Sequence, residues 1–326
     1  MSQLLSVSQD IRYTKLSFTI QFTEDTVLPK QKVSAIRGGI GEMLLRANCV
    51  RDRECDTCDF SEECIVQRIM YSKYEKKPSF VTTGESIGYV IECENHEEIF
   101  GQGATMNFQL LLLGKNIVYF NQYLQAVSML GLSGLGKHQA HFVVVGVKNQ
   151  CNQDILIGSS VNMQNYRISK IGEYISYRMR QLQKKQQKDQ IENISEKEMI
   201  WSGTLVFRTP FTVKYQGEFI RRLHMDSIIA SVRRRLYMLD CFEGIEAEVF
   251  WEETPEAAVT ESQQSRQESI SRYSNRRESA MILRGIQGSI RFSGADLETV
   301  KLLLAGELIH IGKNTSFGFG EYRVFI

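Results

Sequence analysis

The sequence predicts an α+β protein built from two ferredoxin-like (RRM-like) halves in tandem. Three observations predict it. Alternating apolar segments and helical stripes follow one another in the order β-α-β-β-α-β, the split βαβ pattern. That order repeats in the second half of the 326 residues. Each half also closes on a helix, a glycine-rich loop and a strand. Each of these loops has a Lys and a His nearby: Gly136-Lys137-His138 in the first, His310-Ile311-Gly312-Lys313 in the second.

The first half opens on Ile11 to Phe22, where Leu16, Phe18, Ile20 and Phe22 alternate with polar residues as in a half-buried strand. After Pro29, the residues Val33, Ile36, Ile40, Met43, Leu44 and Ala47 recur at helical spacing. A polar, Cys-bearing insertion follows at about 49–64. Strands are then predicted from Ser79 to Cys93 and from Ala104 to Leu113, a helix from Ile117 to Leu130, and a strand over AHFVVVGV after the loop GLSGLGKHQ. The first domain therefore spans 1–150.

A segment at 151–198 reads as a linker or basic helical insertion, its cations Arg178, Arg180, Lys184, Lys185 and Lys188 on a solvated surface. The second domain, 199–326, starts with a strand from Met199 to Val213. A helix from Phe219 to Phe242 carries the stripe Met225, Ile228, Ile229, Val232, Leu236 and Leu239. Next come the strand IEAEVFW, a loop rich in Ser, Gln and Glu over Glu252 to Glu278, and the strand AMILRGIQGSIRF. A short helix follows, with Asp296 as N-cap and Leu297, Val300, Leu303 and Leu304 as its apolar face. The Gly-rich loop then feeds a last strand from Tyr322 to Ile326.

Hydrophobic content of 42% and charged content of 24% are those of a globular protein. No apolar run reaches membrane-spanning length, and MSQLLSVSQDIRYTK lacks the features of a signal peptide. The expectation is a cytoplasmic protein without a disulfide framework. A net charge of +1 directs any nucleic-acid partner to local basic patches rather than to a general field.

The stretch SRYSNRRESAMILRGIQGSIRFSG, followed after the short helix by LLLAGELIHIGKNTSFGFGEYRV, resembles the C-terminal domain of the CRISPR-associated endoribonucleases that cut precursor CRISPR RNA. These belong to the RAMP superfamily of tandem ferredoxin-like domains. The shared pattern is an Arg-Tyr-Ser stretch, a Gly-x-x-Gly strand and a His-x-Gly-Lys-x-Thr-x-Phe-Gly-x-Gly loop. LVFRTPF, the first-domain helix AIRGGIGEMLLRANC and the Cys insertion extend the resemblance upstream; residues 149–198 fall outside it. It implies an antiviral-defence nuclease that binds CRISPR repeat RNA and crRNA, with other CRISPR effector or adaptation proteins as further partners. It also implies metal-independent cleavage, in which the ribose 2′-hydroxyl attacks the adjacent phosphate to leave a 2′,3′-cyclic phosphate and a 5′-hydroxyl.

Such chemistry needs a base, an acid and cations, and His suits the first two roles. Family members often place a catalytic His on or just before the first helix, but LPKQKVSAIRGGIGEMLLR contains none. Of the five His, His96 reads as a surface residue in ENHEE, His224 as exposed, and His141 as a sheet residue. His310 and His138 are the catalytic candidates, His310 the first of them, with Lys32 and Arg37 as cations on the first helix. If the loop is only a turn, His310 caps the helix and packs inward instead. The expected RNA-binding set is Lys137, Gly312, Lys313, Gly318 and Gly320, whose amides and charges suit phosphates, with Arg272, Tyr273 and Arg276. Phe317 and Phe319 suit base stacking or core packing.

Cys49, Cys55, Cys58 and Cys64 have the spacing C-x5-C-x2-C-x5-C, which suits a structural zinc ion, or less well an iron–sulfur cluster, remote from cleavage. Cys93, Cys151 and Cys241 read as ordinary thiols. Two rival readings stand beside the nuclease. One is a non-catalytic RAMP subunit that holds guide RNA in an effector complex. The other is a metal-stabilised scaffold for proteins.

Overall fold

The computed structural model describes residues 9–72, 74, 78, 81, 86–186, 200–245, 258–274 and 279–326. They divide into two compact units. One comprises 12–168 with 271–281; the other takes the stretch up to Ile11, 169–270 and 282–326.

The N-terminal unit is organised by strand β1 (Arg12–Phe22), whose Leu16, Phe18, Ile20 and Phe22 are buried while Lys15, Ser17, Thr19 and Gln21 share the other face. A short strand β2 (Thr26–Val27) leads to helix α1 (Val33–Asn48). The insertion ends in helix α2 (Ile65–Tyr71). Strands β3 (Tyr89–Glu92), β4 (Ile99–Phe100) and β5 (Thr105–Leu113) follow, then helix α3 (Phe120–Ser133) and strand β6 (Phe142–Lys148). Two further strands, β7 (Asp154–Ile157) and β8 (Ser160–Val161), extend the sheet. Its order is β3-β5-β1-β6-β7-β8. Phe18 stands opposite Phe108 on one neighbour and Val147 on the other, both antiparallel. Ile36, Ile40, Met43 and Leu44 of α1 and Phe120, Tyr123, Val127 and Leu130 of α3 join the same buried cluster. Each such side chain contributes about 1.5–3 kcal/mol on leaving water. The strand predicted over Ser79–Cys93 is realised at Tyr89–Glu92; Ser79, Phe80 and 82–85 lie outside the described residues.

The second unit begins with strand β9 (Ser169–Lys170) and helix α4 (Ile171–Gln186). These residues were expected in the connecting segment. Instead Ile171, Ile175, Met179 and Leu182, one stripe of α4, are buried. Strand β10 (Trp201–Phe211) comes next, then a hairpin of β11 (Lys214–Tyr215) and β12 (Glu218–Phe219). Its two turn residues, Gln216 (φ 50°) and Gly217 (φ 87°), have the paired positive φ of a tight hairpin. That hairpin delays the helix predicted from Phe219, so α5 runs from Met225 to Glu243.

The predicted loop over Glu252–Glu278 is overturned where it is described. Val259–Ser274 is a 16-residue strand, β13, paired with β14 (Ser279–Ala295). The predicted strand IEAEVFW lies, beyond Ile245, outside the described residues. Helix α6 (Leu297–Ile309) starts at Asp296, whose carboxylate accepts the Thr299 amide at 2.8 Å. Strand β15 (Tyr322–Phe325) completes the order β13-β14-β10-β15. Numbered along each βαββαβ motif, this is the same 2-3-1-4 order as β3-β5-β1-β6.

β15 is an edge strand, and side chains occupy its free edge. The buried carboxylate of Glu307 on α6 accepts the Val324 amide at 2.7 Å, Arg178 Nε at 2.7 Å and Arg323 Nη1 at 2.7 Å, with Tyr174 as a further donor. Arg178 Nη2 donates to the Val324 carbonyl at 3.2 Å. Burial pushes the Glu307 carboxyl up, but the bonds from Arg178, Tyr174 and Val324 outweigh it and hold it below the usual range. Arg178, assigned from sequence to a solvated surface, is thus an internal ion-pair partner, while Arg180 and Lys184 are exposed.

Candidate functional site

The first glycine loop joins α3 to β6. Leu135 and Ala140 bond to each other in both directions, at 2.9 and 3.0 Å, and close a tight loop over Gly136-Lys137-His138-Gln139. Gly134 precedes it at φ 89°, where a Cβ would stand 2.6 Å from the Gln139 backbone. Only glycine lets the two limbs approach so closely. Lys137 and His138 at the tip are exposed.

The second glycine loop is built differently. His310 follows α6 at φ 56° and ψ 155°, unusual for a side-chain-bearing residue, and is 1% exposed. Its Nδ1 lies 3.2 Å from the Phe319 carbonyl. The amides of Lys313, Gly318 and Gly320, expected to cradle phosphate, serve the chain itself. Lys313 N donates to Thr212 O at 2.7 Å, Gly320 N to Pro210 O at 2.9 Å, Ile311 N to Gly320 O at 3.2 Å and Gly318 N to Thr315 O at 2.9 Å. A Cβ at Gly312 would stand 2.5 Å from Thr212 O, and one at Gly320 1.8 Å from Ile311 O. These glycines admit a neighbouring carbonyl of the same chain. Phe319 is buried under the loop, whereas Phe317 and the Lys313 residue are partly exposed.

Lys32 and Arg37 lie at the start of α1. Lys32 is 1% exposed. Its ammonium donates to the carbonyls of Asn95 at 3.1 Å and Glu97 at 2.6 Å and stands 5.5 Å from the centre of the Phe100 ring. Burial lowers its pKa, against the raising influence of Cys93, Glu98 and Glu97. Lys32 therefore fastens the turn around His96 and is itself withdrawn from solvent. Arg37 is half-buried, with Nη2 3.4 Å from Ser86 Oγ.

His96 is exposed, its Nδ1 3.5 Å from the Lys30 carbonyl. Sequence reasoning read it as a plain surface residue, and nothing in ENHEE announces a clamp from a lysine 63 residues earlier. His141 Nε2 lies 4.0 Å from Glu24, and the exposed His224 is the N-cap residue of α5. Arg276 and the side chains of Arg272 and Tyr273 lie outside the described residues.

The cysteine set is not assembled as a metal site. Among the described residues, no three His, Cys, Asp or Glu side chains come together to hold an ion. Cys49 is the C-cap residue of α1, with Sγ 3.4 Å from the Arg51 carbonyl; Cys55 opens a 3-10 turn, Cys58 closes it, and Cys64 is the N-cap residue of α2. In the insertion, Arg53 pairs with Glu42 at 3.0 Å and Arg51 lies 3.8 Å from Asp59. The zinc and iron–sulfur expectations find no support in this arrangement. Among the described residues, no helix is long and apolar enough to cross a membrane.

Residues 11–169 match a family model described as an N-terminal domain, and residues 205–322 match the model of CRISPR-associated endoribonuclease Cas6. No curated protein matches the sequence. Among solved structures, a partial Cas6-RT-Cas1–Cas2 complex and the Cas6-RT-Cas1–Cas2 complex each align over 97% of this chain at 10% identity and TM-score 0.52. The chain spans 46% and 29% of those two chains. A Cas6 product complex aligns over 97% of this chain and 100% of its own, at 14% identity and TM-score 0.48. At 10% identity the likeness to the first two is one of fold. The Cas6 model runs from β10 through the glycine loop into β15, across a unit whose strand order repeats that of the first. Residues 205–322 thus form a domain that matches the CRISPR-associated endoribonuclease Cas6 family, within a tandem ferredoxin-like fold.

Proposed function

We propose that the protein is an endoribonuclease that binds CRISPR repeat RNA and cuts it in the cytoplasm to release guide RNA. The observation that carries this reading is the Cas6 match over residues 205–322 on a tandem ferredoxin-like fold. Cleavage proceeds by attack of the 2′-hydroxyl on the adjacent phosphate without a metal cofactor, which places the whole demand for proton transfer on side chains. Exposure favours His138, beside Lys137, as a group that meets RNA. Burial favours structural roles for His310 and Lys32. Other CRISPR proteins are further partners, a reading supported by the two neighbours described as Cas6-RT-Cas1–Cas2 complexes.

The test is incubation of the purified protein with its host's repeat RNA in excess chelator, with end-group analysis of the products. Cleavage to a 2′,3′-cyclic phosphate, abolished by deoxyribose 5′ of the scissile phosphate, is the expected result. A dependence on magnesium, or cleavage of the deoxy substrate, sinks the mechanism. The first helix lacks His. That favours a second reading, a guide-RNA-holding RAMP subunit, which predicts tight binding without any cut.

A further inference from the structure

We propose that His96 and His138 form the acid–base pair of the cleavage site, gathered around the segment Leu28–Lys30 of the N-terminal unit, with Lys32 positioning His96. This rests on the endoribonuclease reading and adds the residues that would perform it.

Cleavage by an internal hydroxyl requires two proton transfers, which suit two imidazoles. Of the five His, His310 is enclosed, His141 faces Glu24 and His224 belongs to the other unit. His96 and His138 remain, both exposed and both on short fastened loops.

The topology brings those loops to one stretch of chain. β2 pairs with β4, and Leu28 N extends the ladder by donating to Glu98 O at 2.8 Å. His96 Nδ1 lies 3.5 Å from Lys30 O. From the other loop, Gly136 lies against Leu28, so that a Cβ there would be 3.7 Å from Leu28 Cδ2. Lys137 adjoins His138 in the chain and the Lys30 carbonyl meets His96, so two exposed lysines bring positive charge to these loops for the phosphate.

Lys32 supplies the second argument. It is the one buried lysine among the described residues. Burying an ammonium is costly unless it is bonded, and its bonds go to the carbonyls on either side of His96. What this clamp fixes is a three-residue turn with His96 at its centre. An Nδ1–H given to the Lys30 carbonyl leaves Nε2 as the free lone pair.

In the step itself, one neutral imidazole takes the proton of the 2′-hydroxyl as O2′ bonds to phosphorus. The P–O5′ bond breaks, its electron pair goes to O5′, and the other imidazole, protonated at the start, delivers a proton there. The products are a 2′,3′-cyclic phosphate and a 5′-hydroxyl, with the two imidazoles exchanged in protonation state.

The experiment uses the full chain, host repeat RNA, and the same RNA with sulfur replacing the 5′-bridging oxygen, a leaving group that needs no proton. Both histidines are exposed, so His96→Ala and His138→Ala should leave the fold intact, checked by thermal melts. Each should slow cleavage of ordinary RNA by about 10²–10⁴ with binding within a few fold. The double variant should be little slower than the slower single one. The sulfur substrate should restore one single variant to within about tenfold of the parent and leave the other impaired, which identifies acid and base. Lys32→Met should lower the single-turnover rate without changing RNA affinity, and Lys32→Arg should recover part of it. A parental rate for His96→Ala overturns the pair while leaving the nuclease reading intact, as does rescue of both variants or of neither. A parent protein that binds the RNA but never cuts it overturns both.

Discussion

The two glycine loops occupy equivalent places, after the last helix of each motif and before the strand that pairs beside β1 or β10. Each brings a lysine and a histidine. In the first, the backbone closes on itself at Leu135 and Ala140 and pushes Lys137 and His138 outward. In the second, the amides of Ile311, Lys313 and Gly320 are bonded to carbonyls of the unit, and His310 is drawn under the loop. One composition thus serves two purposes, presentation and closure. The difference shows in what surrounds the glycines. A Cβ at Gly136 would meet only Leu28 at 3.7 Å, whereas one at Gly320 would overlap Ile311 O at 1.8 Å.

Kinetics give the widest test of this contrast. His138→Ala should slow single-turnover cleavage by about 10²–10⁴, whereas His310→Ala, assayed below its melting transition, should stay within about tenfold of the parent. The opposite ranking would break the comparison. Glu307→Ala extends the theme of closure to the edge of the second unit: leaving two arginines around a vacated carboxylate should cost about 3–5 kcal/mol in denaturant melts. Because the folded Glu307 carboxyl lies below its unfolded value, its contribution is present above the unfolded pKa and is lost as pH falls through the folded one. Glu307→Gln should therefore flatten the acid limb of the stability profile; an unchanged limb would remove the ion pairs from the account.

Smaller shifts sharpen the comparison. Gly320→Ala should cost at least about 3 kcal/mol, since backbone must move, against about 1–2 for Gly136→Ala, where only the left-handed conformation is strained. Equal urea midpoints would mean that the loops are built alike. Smallest is the salt effect. Lys137→Ala should reduce the slope of log binding constant against log salt by about 0.7, the loss of one phosphate contact on single-stranded RNA. Titrations from low to moderate salt resolve it.

Much of this fold was legible wherever one face of an element is buried. The alternation in β1 and the stripes of α1 and α3 are direct images of a core. β13 was not legible because it pairs at an edge with most of its described side chains at least partly exposed, so VTESQQSRQESISRYS carries no period. The β11–β12 hairpin hid behind Gln216, a residue that seldom signals positive φ. At the site, glycine density correctly announced close approach, but composition does not say whose oxygen approaches. The Lys32 clamp on the His96 turn joins residues more than sixty apart, and no local pattern encodes it.

Helix α4 falls between the two family matches, which end at 169 and resume at 205. Yet Tyr174 and Arg178 block the outer edge of β15. A truncation at the family boundary would therefore remove the guard from an open sheet and strand a buried carboxylate with one arginine fewer. The same guard bears on assembly. A protein that docked by adding a strand to this sheet would find β15 closed to it; among the described residues the other edge is β13, which presents Ser and Gln side chains rather than an apolar surface.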